Sequence, residues 1–589
     1  MKWIAACLLF LVCLPVFAET SPAPLIADPP SRASISLDGM WNTIIDPYET
    51  GMSSHFYENR KPASKTDLVE YDFDRSPKLM VPGDWNSQRE SLLFYEGPMW
   101  YQRSFSYQKQ PNHRVFLYFG AANYLSRIWL NGTKLGEHIG GYTPFNFEVT
   151  EQLRDGDNSL VVEVDNTRRP EGVPSIHTDW WNYGGITRSV KLIEVPQNFI
   201  QNYFVQLTKG HTEEIQGWVQ LNGTGSATVE IPELRLKQTV QADAQGRAVL
   251  HASVQPELWS PENPRLYQLV VSSGEDRIVD QIGFRTIETR GTQILLNGKP
   301  IFLRGISAHE EAPYRGGRAV SVDDDRTLIT WAKELGCNFM RLTHYPHNED
   351  MIRLADQMGM MIWNEVPVYW EMQFENPAVL DNAKAQLRDV IARDQNRAAV
   401  VIWSLSNETP ITRERTAFLK SMGEYARSLD STRLIGSASD KATHLDPQHM
   451  ALNDPLGEYL DVIGLNEYVG WYFAKKEDAD RIDWSFQYQK PVIVTEFGGG
   501  AQYGLHGDAD TRFTEEYQAS LYEHQLAMLG KIPALAGMSP WVLMDFRSPR
   551  RTLSGTQDYF NRKGLFSDRG QRKQAFYVLQ KFYREKAKH

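Results

Sequence analysis

From residue 289 onward the chain repeats one pattern eight times: a short apolar run suited to a strand, then a stretch that reads as helix. The runs fall at 301–304, 337–342, 360–364, 399–405, 433–437, 462–466, 491–495 and 534–543. Between the early ones, Leu328, Trp331, Ala332 and Leu335 recur at helical spacing and stop at Gly336, and Met351, Leu354, Ala355 and Met358 stop at Gly359. Apolar residues every three to four positions ending on a glycine mark an amphipathic helix and its C-cap. Eight such strand–helix units predict a (β/α)8 barrel over 289–589. An open doubly wound sheet is the competing layout, but it does not account for the polar residues that close nearly every run.

Those endings are Arg304-Gly-Ile-Ser-Ala-His309-Glu310, Arg341-Leu-Thr-His344, Asn364-Glu365, Asn407-Glu408, Asn466-Glu467-Tyr468, Glu496 and Trp541. Mere punctuation of strand ends would favour Gly, Asp and Ser. Barrel active sites instead gather residues from the carboxyl ends of several strands. Glu408 and Glu496, 88 positions apart, each close an apolar run, Val400 to Asn407 and Pro491 to Thr495. A carboxylate there is costly unless the strand opens into a cleft. Two of them on one barrel are the equipment of glycoside hydrolysis.

Ahead of the barrel the pattern is β. Val115-Phe-Leu-Tyr-Phe119, Ser126-Arg-Ile-Trp-Leu130 with the turn pair Asn131-Gly132, and Ser159 to Val164 predict a jelly-roll β-sandwich over 19–195. Gln216 to Leu221, Ala227 to Ile231 and Leu266 to Ser272 predict an immunoglobulin-like β-sandwich over 196–288. Residues 1–18 read as a bacterial-type signal peptide, with Lys2, an apolar stretch, and Val16 and Ala18 before Glu19. The expectation is a secreted or periplasmic protein with no membrane span; a lipoprotein anchor at Cys13 is disfavoured by Val12. Removal of that leader leaves Cys337 as the one cysteine, read as inert packing inside an apolar strand. A net charge of −11 offers no basic field for nucleic acid, so any anionic substrate needs local cations. A homo-oligomer is left open.

These residues resemble glycoside hydrolase family 2, the family of β-galactosidases, β-glucuronidases and β-mannosidases, across nearly the whole chain. The resemblance is strongest to its β-glucuronidase members. Asn561-Arg-Lys563-Gly matches the Asn-x-Lys motif that those enzymes use to hold a substrate carboxylate, and Asp179 to Arg188 resembles a first-domain loop whose Asp reaches the active site. The resemblance implies a retaining, exo-acting hydrolase of terminal β-D-glucuronides, with Glu496 as nucleophile and Glu408 as acid/base. Arg341 and Tyr468 would keep Glu496 ionised, Asn407 would bind the sugar 2-hydroxyl, Trp541 would floor the site, and His309 and His344 would bind hydroxyls. Asp179, Asn466, Tyr472, Asn561 and Lys563 complete the candidate carbohydrate-binding set. Neither cofactor nor metal is expected, since the histidines lack a His-x-x-x-His spacing.

Departures from the family pattern are Ser307 for Asn, Asn364 for Asp, Glu467 for a basic residue, and a longer segment from Trp541 to Asn561. They keep β-galactosidase and β-galacturonidase open as alternatives. A catalytically silent carbohydrate-binding protein is the alternative from another class.

Overall fold

The computed structural model describes residues 24–27, 30–440, 443–446 and 448–588. The expected leader at 1–18 lies outside the described residues. Eight parallel strands close into a barrel: β1 (Leu303–Ala308), β2 (Phe339–Leu342), β3 (Met361–Glu365), β4 (Val400–Asn407), β5 (Leu434–Ser439), β6 (Ile463–Asn466), β7 (Val492–Glu496) and β8 (Leu535–Met538). Each coincides with an expected run, shifted by a few residues. The first strand starts two residues late and runs on to Ala308. The eighth stops at Met538, because Pro540 cannot continue a ladder. Cys337 lies in the turn before β2 rather than within it, and is buried. A parallel strand covered on both faces reads as a continuous apolar run, and all eight residues of β4 are buried.

The helical half of the pattern is less regular. Val322–Leu335 starts from a capping box between Ser321 and Asp324 and ends at Gly336, whose φ of 95° only glycine adopts readily. Glu349–Met358, Pro377–Asp394, Arg413–Leu429, Glu515–Leu529 and Gln574–Lys586 follow. After β5 and β6, however, the described residues form short 3-10 turns (Pro455–Glu458 and Lys476–Arg481) and a small sheet of Thr443–Asp446, His449–Leu452 and Asp483–Phe486. The expected eight strand–helix units are therefore corrected at these two connections. Asp446-Pro447 and Asp454-Pro455-Leu-Gly457 interrupt helix in the first of them.

Two β-sandwich regions precede the barrel. In the first, a six-stranded antiparallel sheet faces a four-stranded one, and Trp41, Tyr101, Phe119, Ile128 and Val162 fill the space between them. The hairpin Leu125–Leu130/Thr133–Ile139 turns at Asn131 and Gly132, both with positive φ (54° and 82°), as a two-residue turn that matches strand twist requires. The second pairs a three-stranded with a four-stranded sheet around Tyr203, Val205, Val219 and Val271.

The two sandwiches grip different parts of the barrel. Arg285, from the second, donates to Ala398 O at 3.1 Å and Val400 O at 2.6 Å, where β4 begins, and Val205 N donates to Asn396 Oδ1 at 2.8 Å. The first sandwich reaches the opposite, carboxyl-end face. Its Arg188 donates to Glu310 Oε1 at 3.1 Å and to Pro346 O at 2.6 Å, while Arg318 donates to Glu310 Oε2 at 3.2 Å. All three charged side chains are nearly inaccessible. Removing one member of a buried ionic group leaves its partners uncompensated, which costs about 3–5 kcal/mol. Glu310→Ala should lower the calorimetric unfolding temperature far more than an exposed control such as Glu90→Ala; equal shifts would show that Glu310 does not couple the sandwich to the barrel.

Candidate active site

At the carboxyl ends of the barrel strands opens a cavity of about 670 Å³. Its wall includes Glu408, Glu496, His344, Asn466, Tyr468, Tyr472, Trp541, Lys563 and Asp179, all expected from the sequence. Glu496 ends β7. Arg341 Nη1 donates to its Oε1 at 2.7 Å and Tyr468 OH to its Oε2 at 2.8 Å. Arg341 is fully buried, and it also donates to Asn407 Oδ1 at 2.6 Å and faces Glu365 at 3.2 Å. Glu365 in turn accepts from Trp363 Nε1 and Ser404 Oγ, both at 2.9 Å, and lies 3.0 Å from His344 Nδ1. Burial raises the pKa of Glu496, and the Arg341 charge and the hydrogen bonds from Arg341 and Tyr468 oppose that rise.

Glu408 has different surroundings. It follows β4 with φ 49°, in the left-handed region that non-glycine residues occupy only when the fold compels them. Its backbone N–H donates to Ala438 O at 2.9 Å, which fixes the carboxyl's aim. Trp370 Nε1 reaches its Oε2 at 2.8 Å and the Asn466 side chain also hydrogen-bonds it, while no cation pairs with it among the described residues. Burial, and then the charge of Glu496, push its pKa up to about 8. One carboxyl is thus held by a guanidinium and a phenol, while the other is poised to keep a proton at neutral pH. Pairs of carboxyls pushed apart in this way divide into acid and nucleophile.

The cation of the site is Lys563, 3% exposed, with its Nζ 2.9 Å from Tyr472 OH and 5.0–5.8 Å from the ring centres of Tyr468, Trp471 and Tyr472. No carboxylate lies within ion-pair distance of it among the described residues, and desolvation lowers its pKa. Asp179 is held by Ser548 Oγ at 2.6 Å, Asn561 Nδ2 at 3.1 Å and the Arg551 guanidinium. The loop at 561–563 is therefore buried within the site, not a solvated basic stretch.

Some expected residues stand behind the wall. Arg341, Asn407 and Asn561 act from beneath it, although Asn407 Nδ2 is buried without a hydrogen-bond partner among the described residues. His309 packs 4.1 Å from the Phe546 ring and 5.2 Å edge-on to Trp541, and it does not line the cavity. Its Nδ1 lies 3.1 Å from Tyr345 OH, and its Nε2 is buried without a hydrogen-bond partner among the described residues. Trp541 itself stacks on His344 at 4.9 Å. Among the described residues no group of three or more His, Cys, Asp and Glu could hold a metal.

The family departures lie inside the barrel frame. Ser307 Oγ bonds Thr495 O and Ser539, Asn364 Nδ2 donates to Asp394 Oδ2 at 2.9 Å, and Glu467 Oε1 accepts from Tyr468 N at 2.9 Å. The wall also contains Tyr369, Trp370, Phe473, Asp440, Arg550 and Arg551, which were not singled out in the sequence. Arg550 and Arg551 carried a signal, the unusual length of the segment from Trp541 to Asn561. Trp370 and Asp440 carried none, because each follows its strand through irregular chain.

A closed barrel with two carboxyls of contrasting environment in one carbohydrate-sized cavity, capped by a β-sandwich, is the architecture of a glycoside hydrolase. The chain belongs to the glycosyl hydrolases family 2: it matches that family's TIM barrel domain over 287–586, its sugar binding domain over 35–196 and its intervening domain over 199–285. It is an enzyme that hydrolyses glycosidic bonds. Rat (Rattus norvegicus) β-glucuronidase is 27% identical over 94% of this chain and 91% of its own length. A Formosa agariphila protein is 26% identical over 86% of this chain and spans further, with 66% of its length covered. The β-glucuronidase of Ruminococcus gnavus in complex with uronic isofagomine superposes with a TM-score of 0.83 at 25% identity, over 96% of this chain and all of that one.

The Trp370 hydrogen bond favours the ionised form of Glu408. If Glu408 must be protonated to act, activity falls as pH rises through its pKa of about 8. Trp370→Phe removes the donor, raises that pKa, and should move the alkaline limb of the kcat/KM profile to higher pH. An unmoved limb would assign it to another group.

Proposed function

We propose that the protein is an exo-acting β-glucuronidase that releases terminal β-D-glucuronic acid with retention of configuration. The observation that carries the choice of sugar is Lys563, a buried ammonium that faces the cavity without a carboxylate partner among the described residues. An unpaired buried charge is costly, and a substrate carboxylate at C6 would compensate it. The names of the relatives agree, since the rat and Ruminococcus gnavus proteins are both β-glucuronidases. The leader expected at 1–18 supports action outside the cytoplasm, on glycosides met in the periplasm or medium.

In this reading Glu496, oriented by Arg341 and Tyr468, attacks the anomeric carbon while Glu408 protonates the departing oxygen. The leaving group departs as an alcohol, and the sugar remains as an ester of Glu496. Glu408, now ionised, takes a proton from water as that water attacks the same carbon from the vacated side, which regenerates both carboxyls. Asn407 Nδ2, buried and unpartnered among the described residues, is suited to the 2-hydroxyl, where a hydrogen bond strengthens as charge develops in the ring.

A 2-fluoro-glucuronosyl inactivator should label Glu496, read by peptide mass spectrometry. Glu408→Ala should slow glucuronides with poor leaving groups far more than activated aryl glucuronides, with azide restoring the latter. Label on Glu408, or equal losses without rescue, would reverse or remove the assignments. Separately, a charge-assisted hydrogen bond contributes about 1.5–3 kcal/mol, so Lys563→Ala should lower kcat/KM for 4-nitrophenyl β-glucuronide on the order of 10- to 100-fold. Any activity on the neutral β-galactoside should change little. A galacturonide shares the C6 carboxylate and differs at C4, so wild-type preference for it over the glucuronide would replace the sugar while keeping the role of Lys563.

A further inference from the structure

The mouth of the cavity holds a cation that the chemistry on its floor does not use. Arg550 lines the cavity and is exposed. Its guanidinium carbon lies 4.7 Å from the Trp370 ring centre. Trp370 Nε1 in turn donates to Glu408 at 2.8 Å. This run of contacts puts Arg550 on the acid/base wall. The group that protonates the glycosidic oxygen stands beside the atom joining sugar to leaving group, so that wall borders the leaving group. Lys563 lies elsewhere, over Tyr468 and Tyr472, and Tyr468 is bonded to Glu496.

Two adjacent arginines are used differently here. Arg551 is paired with Asp179 and approaches Tyr472 OH at 3.3 Å, so its charge is spent within the fold. Arg550 has no carboxylate within ion-pair distance among the described residues, and its hydrogen bond there runs from its backbone N–H to Ser548 Oγ at 3.4 Å. Among the described residues no hydrogen bond engages the guanidinium N–H groups of Arg550, so they are available to bind an oxyanion beside the indole. In a protein of net charge −11, an uncompensated cation at a cleft mouth concentrates anions there. Asp440 lines the same cavity, and Glu408 experiences it as a negative charge. An anionic group would therefore settle against Arg550 and not be spread over the mouth.

We infer that Arg550 forms a subsite for a leaving group that carries its own anionic substituent, such as a carboxylate or sulfate ester. The preferred substrates are then glucuronides of acidic aglycones or of acidic glycan chains, bearing a second negative charge beyond the glucuronate. This rests on the glucuronidase reading above.

The test compares 4-carboxyphenyl with 4-carbamoylphenyl β-D-glucuronide, matched in shape and differing in charge, using the full-length enzyme. The anionic-to-neutral ratio of kcat/KM should fall about three- to fivefold in Arg550→Ala, the range of a single exposed charge pair. Comparing the ratio between enzymes cancels the intrinsic difference in leaving-group reactivity. Arg550→Lys, which keeps the charge without the fork, should give a ratio between those of wild type and Arg550→Ala, and added NaCl should erode the wild-type preference but not that of Arg550→Ala. An unchanged ratio in Arg550→Ala, or a wild-type ratio that ignores salt, would overturn the subsite and leave Arg550 as a cover for Trp370. If wild type hydrolyses neither glucuronide, the underlying reading fails; if it hydrolyses both and the ratio ignores salt and substitution, only the subsite fails.

Discussion

Arg341 is the interaction on which the site depends. Its guanidinium rises from β2 into the barrel and is shared between Glu496 on β7, Glu365 on β3 and Asn407 on β4. A planar fork with five donors binds three partners from three strands in fixed directions, where a lysine ammonium offers three donors on a flexible stem. Burying one cation between two carboxylates also leaves their combined charge incompletely neutralised. Trp363, Ser404 and His344 add hydrogen-bonding contacts to Glu365, so the guanidinium remains available to Glu496. A closed barrel makes this arrangement possible, because strands distant in sequence deliver side chains to one ring at the same height.

The contrast between the two glutamates follows from that sharing. Both are surrounded by protein, and burial raises both pKa values. Only Glu496 has a cation to offset the penalty. Glu408 has an indole N–H, a hydrogen bond from the Asn466 side chain and a carboxylate neighbour, and the negative charge of Glu496 deepens its preference for a proton. The two carboxyls are thus differentiated by which strand ends lie beside Arg341, not by any difference between the residues themselves.

The cavity is completed across domains. Asp179 from the first sandwich is clasped by Ser548, Arg551 and Asn561, all from the segment after β8, and Trp181 N donates to Arg547 O at 3.1 Å. The added length between Trp541 and Asn561 spans that gap. Its hairpin, Phe546–Arg547 with Phe560–Asn561, brings Lys563 and Arg550 to the same cavity, Lys563 against Tyr472 and Arg550 against Trp370. Buried ionic contacts between Arg188, Glu310 and Arg318 hold the two domains together beneath the same face. One part of the cavity wall is therefore built from a loop and a neighbouring domain, whereas Glu408 and Glu496 sit at strand ends.

Much of this was determined by local sequence. Eight apolar runs, glycine stops at Gly336 and Gly359, and the Asn131-Gly132 turn each encode backbone geometry through nearest neighbours alone, and the strands, helix ends and hairpin appear where those signals stand. Glu408 and Glu496 were visible because a carboxylate that closes an apolar strand violates a local rule. Tertiary structure decided what spacing cannot encode. Among the described residues the connections after β5 and β6 carry short 3-10 turns in place of helices, His309 was packed beside Trp541 and Phe546, and Trp370 was brought against Glu408 from a different strand's loop. Whether a side chain faces a cavity, and which charge lies beside it, depends on contacts between residues tens to hundreds of positions apart. Barrel closure and domain docking set those distances, and with them the contrast between Glu408 and Glu496 and the cations that face the cavity.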